Sequence, residues 1–144
     1  MRAIWFLVPA VFGALQPVII QMNLSVARYA GVVEAAVLLH VVGAAFGLSI
    51  WGLGLRGVGF GALSAVPWWA YLGGCIGVSG MAALNRAIPE TGVAAAVALM
   101  VAFQLAFSLG LEHYGWLGAD IRHATSGRVA GVVLLAAGAW LVSR

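Results

Sequence analysis

Residues 92–111 read GVAAAVALMVAFQLAFSLGL, and this stretch carries no charge; Gln104 is its only strongly polar side chain. As an α-helix the stretch would extend about 30 Å, the hydrocarbon thickness of a bilayer. Because the helix would be apolar on every face, it is not typical of a soluble protein of this size. The stretch is therefore predicted to span a membrane.

The rest of the chain repeats this pattern. Of the 144 residues, 64% are hydrophobic and 8% are charged, against about 25% charged in an ordinary soluble domain. So few charges could not cover a water-facing surface, and no separate soluble domain fits. We predict an all-α integral membrane protein with one domain, residues 1–144, and five transmembrane helices. The predicted spans are residues 3–22, 30–55, 67–84, 90–111 and 127–143.

Short segments are predicted to join these spans. Residues 23–29 form a polar link, residues 56–66 a glycine-rich loop, residues 85–89 a turn and residues 113–126 the longest loop. Trp68, Trp69 and Tyr71 are placed at the membrane interface. Glycines on the spans allow close approach of a second helix. The glycines predicted to lie at helix–helix contacts are Gly43, Gly47, Gly73, Gly77, Gly127 and Gly131.

The distribution of positive charge does not favour one orientation of the chain in the membrane. The chain has seven arginines and no lysine, and their scattering gives no sign of a nucleic-acid surface. With five spans, one side carries Arg2, Arg56, Arg122 and Arg128, and the other carries Arg28, Arg86 and Arg144. Such a balance is compatible with a weakly biased single topology. We predict dual topology instead, in which two oppositely inserted copies form an antiparallel homodimer and reproduce an inverted repeat.

Several short motifs occur in a characteristic order. They are GALQ at 13–16 followed by Asn23 and Leu24, PWWAYLGG at 67–74, FQL at 103–105, LEHYG at 111–115, and Gly131 followed by GAW at 138–140. In this order and spacing the chain resembles the small YdcZ-like family of the drug/metabolite transporter superfamily. Glu112 stands where the resemblance leads one to expect an aspartate, and Phe103 where one expects a glycine.

The resemblance implies half of a ten-helix inverted-repeat transporter bundle, with single five-helix members assembling as pairs in the bacterial inner membrane. It implies no particular substrate. Glu34 and His40 belong to none of the family motifs, so the resemblance gives their roles no support.

Polar side chains are predicted near the middle of several spans, where transporter sites usually lie. Gln16, His40 and Gln104 are the predicted substrate-binding residues. The glutamines could instead bond across packed helices. An ionisable group within a span is a functional hypothesis by default, so His40 is also a candidate for proton coupling. It could equally be neutral and donate to a nearby carbonyl.

Two acidic positions extend this candidate pathway. Glu34 is either an interface carboxylate or a gate paired with Arg28. Gln104, Ser108 and Glu112 recur every four residues and so share one helix face. That face is the predicted wall of a polar pathway, although a packed polar seam between subunits would give the same spacing.

No enzyme site, cofactor site or metal site is predicted. Cys75 has no histidine or acid close in sequence, and the spacing of His113, Asp120 and His123 matches no strong metal motif. The prediction is a secondary transporter subunit that moves a small polar, cationic or zwitterionic metabolite by alternating access. The alternatives are a small channel and a non-transporting membrane assembly subunit.

Overall fold

The computed structural model describes residues 4–55 and 59–144, and this part of the chain is helical without a β-strand. The five α-helices are α1 (Ile4–Ala30), α2 (Val32–Gly52), α3 (Leu72–Thr91), α4 (Val93–Tyr114) and α5 (Ser126–Val142). Three short 3-10 helices cover Phe60–Ala65, Trp68–Tyr71 and Trp116–Gly118. The predicted all-α class is confirmed.

Three of the helices are long and apolar enough to cross a membrane by themselves. They are Trp5–Ala30, Val32–Gly52 and Val93–Tyr114, while α5 is apolar but has only 17 residues. Most of the large apolar side chains on these helices are exposed. Because a helix bonds its own backbone groups, it can present such a surface to lipid. The protein is thus an all-α membrane protein, and the count of five spans stays a prediction.

The chain divides into two compact units, with the boundary between Ala87 and Ile88. In the first unit α1 packs against α2, and in the second α4 packs against α5. Alanines occupy many of the buried positions, which lets helices approach closely without bulky side chains between them. The buried alanines are Ala35 and Ala36 in the first unit and Ala95, Ala102 and Ala139 in the second.

The helices differ in extent from the predicted spans. Residues 23–29, predicted as a link, continue α1, and residues 85–89, predicted as a turn, lie within α3. Residues 67–71 are not the start of an α-helix, because α3 begins only at Leu72. Of the predicted loop at 56–66, residues 56–58 lie outside the described residues, as do Arg2 and Arg56 of the charge count.

Single glycines separate two pairs of helices. Gly31 stands alone between α1 and α2 with φ 108° and ψ 160°, and Gly92 stands alone between α3 and α4 with φ 79° and ψ 152°. This backbone region is essentially restricted to glycine. The Gly31 N–H still donates to the Ala27 carbonyl at 3.0 Å, and the Gly31 carbonyl accepts from Ala35 N–H at 3.1 Å. The Gly31 backbone thus closes the last turn of α1 and opens the first turn of α2.

Replacing Gly31 by alanine is expected to destabilise the protein by about 1–3 kcal/mol, because a side chain there forces a strained backbone. The new Cβ would also meet the carboxylate of Glu34. The free energy of unfolding, measured by denaturant titration in detergent, checks the effect. Gly110→Ala is the control, since no atom lies within 4 Å of its Cβ position. Equal stability of the two variants would contradict the assigned role of Gly31.

Candidate functional site

The second unit contains a groove between α4 and α5 with a volume of about 290 Å³. Its polar side chains are Ser108, Glu112 and Arg128. The remaining wall is formed by Leu105, Leu109, Gly131, Val132 and Leu135. A few polar groups converging in an otherwise apolar groove are typical of small-molecule sites.

Local sequence features bring the two charges of this groove together. Ser108 and Glu112 are four residues apart on α4, so they share a helix face. On α5, the Thr125 hydroxyl accepts from the backbone N–H of Arg128 at 3.3 Å and caps the helix. That cap places Arg128 in the first turn of α5, where its guanidinium pairs with the Glu112 carboxylate.

The ion pair is only partly covered, since 39% of the Arg128 side chain and 33% of the Glu112 side chain are exposed. A partly exposed pair is held weakly, and its partners can be exchanged at low cost. Both charges are therefore reachable from the groove.

Further hydrogen bonds fasten the loop that joins α4 to α5. Arg128 Nη1 donates to the Arg122 carbonyl at 3.2 Å, and the Arg122 N–H donates to the Glu112 carbonyl at 2.9 Å. The Ala124 N–H donates to His113 Nδ1 at 3.0 Å, so this nitrogen carries no proton. The loop is thus tied to the end of α4 on one side and to the start of α5 on the other.

Ser108 differs from other helical serines in the use of its hydroxyl. Ser25 and Ser49 donate to the carbonyls of Gln21 and Ala45, each at 2.9 Å. Within the described chain, the Ser108 hydroxyl makes no such bond, and it lines the groove. It is consequently available to a ligand.

Gln104, on the other hand, is exposed and does not line this groove. The structure therefore brings together two of the three polar residues predicted along this face of α4.

In the first unit, His40 is fixed by its own helix. Its Nδ1 lies 2.7 Å from the Ala36 carbonyl, and because a carbonyl can only accept, Nδ1 carries the proton. The other ring nitrogen, Nε2, would lie 2.9 Å from a Cβ placed on Gly77 of α3. Because Gly77 has no side chain, the His40 imidazole can lie against α3 at this position.

The other predicted packing glycines have no such neighbour. In the described chain no atom of another helix lies within 4 Å of a Cβ built at Gly43, Gly47, Gly73, Gly127 or Gly131. Their smooth surfaces are open to lipid or to another protein.

Glu34 occupies the first turn of α2, and its carboxylate lies over Gly31. A negative charge is favourable there, at the positive end of the helix dipole. No ion pair between Glu34 and Arg28 occurs among the described residues, so the gate interpretation gains no support. Gln16 is half-buried on α1 and makes no hydrogen bond in the described part of the chain.

A buried polar pair was not predicted from the sequence. Asn23 is 4% exposed and Asn85 is 2% exposed. The Asn23 amide donates to Asn85 Oδ1 at 3.1 Å, and the Asn85 amide donates to the Val32 carbonyl at 3.2 Å. These two side chains connect α1, α2 and α3 beside Gly31. The available signal was the helical spacing of Ile20, Asn23, Leu24 and Ala27, which continues across the supposed link.

Asn85→Leu is expected to lower the free energy of unfolding by about 1–3 kcal/mol, because it leaves the buried Asn23 amide without its acceptor. In the variant lacking both asparagines, the loss should be smaller than the sum of the single losses. Denaturant titration of the two single variants and the double variant measures this coupling. Ser25→Ala, at an exposed hydroxyl, is the control, and additive losses would contradict the pairing.

Comparison with known proteins gives one family and one relative. The family model described as "Putative inner membrane exporter, YdcZ" matches residues 4–141. The relative is the "Inner membrane protein YdcZ" of Escherichia coli (strain K12), which is 38% identical over 87 residues. That alignment covers 60% of this chain and 58% of the relative, so it spans less than two thirds of the relative's length. No solved structure matches the chain.

Proposed function

The chain belongs to the YdcZ family of inner-membrane exporters, and from this membership we propose that it is a secondary transporter subunit that exports a small polar solute. The observation that carries the proposal is the extent of the family match, which leaves only six of the 144 residues outside it. Several apolar helices able to span a membrane agree with a multi-pass protein of the bacterial inner membrane.

The proposed assembly is an antiparallel homodimer of oppositely inserted copies. Its first support is the even distribution of arginine, which gives a five-span chain no preferred orientation. Its second support is the uncovered surface of the helices, which includes the open glycine pairs Gly43/Gly47 and Gly127/Gly131. Small residues of this kind form the closest helix contacts in membranes. Two such copies would supply the inverted halves that many transporters carry in one chain.

The proposed mechanism is alternating access around polar groups near the middle of the spans. Gln16, His40 and Gln104 are proposed to contact the substrate, with Ser108 and Glu112 along its path. His40 suits proton exchange, because Nδ1 bonds the Ala36 carbonyl and Nε2 has no hydrogen-bond partner among the described residues. Proton coupling through His40 or Glu34 is excluded if pH-driven transport survives replacement of both residues by glutamine.

Labelling the two ends of α5 tests the assembly. In a Cys75→Ser background, Ser126→Cys and Ser143→Cys place one thiol at each end of this helix. Dual insertion predicts that a membrane-impermeant maleimide labels each variant in intact cells to about half of the value in permeabilised cells, since each end faces outward in half of the copies. Full labelling at one end and none at the other would overturn the antiparallel dimer.

Mass spectrometry of the growth medium tests export without assuming a substrate. Cells that express the protein are expected to accumulate at least one small solute outside more strongly than cells with an empty vector. The increase should disappear with His40→Phe, because this change removes both imidazole nitrogens from the proposed path. It should persist with Ser49→Ala, whose hydroxyl bonds its own helix. Immunoblotting of membranes confirms equal amounts of each variant. An unchanged medium would contradict export by this chain alone and favour the assembly-subunit alternative.

A further inference from the structure

We propose that the groove lined by Ser108, Glu112 and Arg128 binds a zwitterion, a solute with an ammonium group, a carboxylate and a short apolar tail. This inference rests on the proposed export function and names the substrate class. It replaces the broader sequence expectation, which left cationic and zwitterionic metabolites equally open.

The two opposite charges of the groove disfavour ligands that carry only a positive or only a negative charge. Its lining contains one carboxylate and one guanidinium, which pair with each other. A cation that binds Glu112 would leave Arg128 uncompensated, and an anion that binds Arg128 would leave Glu112 uncompensated. Either single-charge ligand therefore breaks the existing ion pair and forms only one new pair in its place. A zwitterion exchanges one internal ion pair for two external ones, so no charge is left without a partner.

The ion pair can open without releasing both side chains. Arg128 donates through Nη2 to Glu112 and through Nη1 to the Arg122 carbonyl. When a ligand carboxylate takes the place of Glu112, the second bond still holds the guanidinium in position. Arg122 contributes a backbone oxygen to this arrangement and does not line the groove.

The remaining lining defines the rest of the ligand. Ser108 lies one helical turn from Glu112 and has an uncommitted hydroxyl that can donate to a ligand carboxylate. Leu105, Leu109, Val132 and Leu135 provide an apolar wall. The volume of about 290 Å³ lies at the lower end of the range for small-molecule pockets. These features fit a solute of amino-acid size with an aliphatic tail.

Three probes with similar aliphatic chains test the contribution of each charged group of such a solute to binding. They are L-leucine, 3-methylbutylamine, which lacks the carboxylate, and 4-methylpentanoate, which lacks the ammonium group. Binding to the purified full-length protein in lipid nanodiscs is measured by calorimetry at neutral pH. Leucine is expected to bind at least about tenfold more tightly than either single-charge probe, a difference of about 1.4 kcal/mol.

Two variants are expected to shift the binding preference from leucine towards one of the single-charge probes. Glu112→Gln frees Arg128, so 4-methylpentanoate should gain affinity while leucine loses it. Arg128→Gln frees Glu112, so 3-methylbutylamine should gain affinity instead. Because each variant gains one ligand, loss of folding cannot imitate the result. Ser49→Ala is the control and should leave all three affinities unchanged.

Three outcomes would overturn the inference. They are equal binding of the amine and leucine by the wild type, the absence of a switch in both variants, and no binding of alanine, leucine or phenylalanine by the wild type. The export experiment detects any released solute. It can therefore succeed when the zwitterion inference fails, and the two failures are distinguishable.

Discussion

The bilayer's demand that every backbone N–H and C=O find a partner within the protein is the constraint on which this structure depends. The five α-helices meet that demand along most of their length, and at two helix junctions a single glycine pairs both of its own backbone groups. At Gly92 the N–H donates to the Ile88 carbonyl at 2.7 Å, and the carbonyl accepts from Ala96 at 3.1 Å.

The same constraint governs the polar side chains. Asn23 and Asn85 satisfy each other, His40 bonds the Ala36 carbonyl, and Glu112 pairs with Arg128. The asparagine pair is buried, which favours a structural role at the Gly31 corner. The Glu112–Arg128 pair is partly exposed and faces a groove. Burial thus separates groups that hold helices together from groups that can change partners.

That separation bears on the proposed export function. An exporter must release its solute as well as bind it, so its contacts need to be reversible. In the proposed zwitterion site, the partly exposed ion pair and the uncommitted Ser108 hydroxyl would provide such contacts, because water or the internal partner can replace the ligand. In the proposed antiparallel dimer, the open glycine surfaces on the helices would contact the second copy.

Much of the fold could be predicted from the sequence, and the candidate site only in part. The uncharged stretch at 92–111 is long enough to cross a bilayer, and this alone determined an α-helical membrane protein. The four-residue spacing also placed Ser108 and Glu112 on one face.

The tertiary structure decided which polar residues have partners. The polarity of Asn23 and Asn85 suggested a link and a turn, and only the packing of α1, α2 and α3 shows that they bond each other within helices. Arg128 likewise joins Glu112 because the Thr125 cap and the loop bonds bring α5 back against α4. Hydrophobic spacing along one chain specifies helices, whereas partners that lie 16 or 62 residues apart are specified by packing alone.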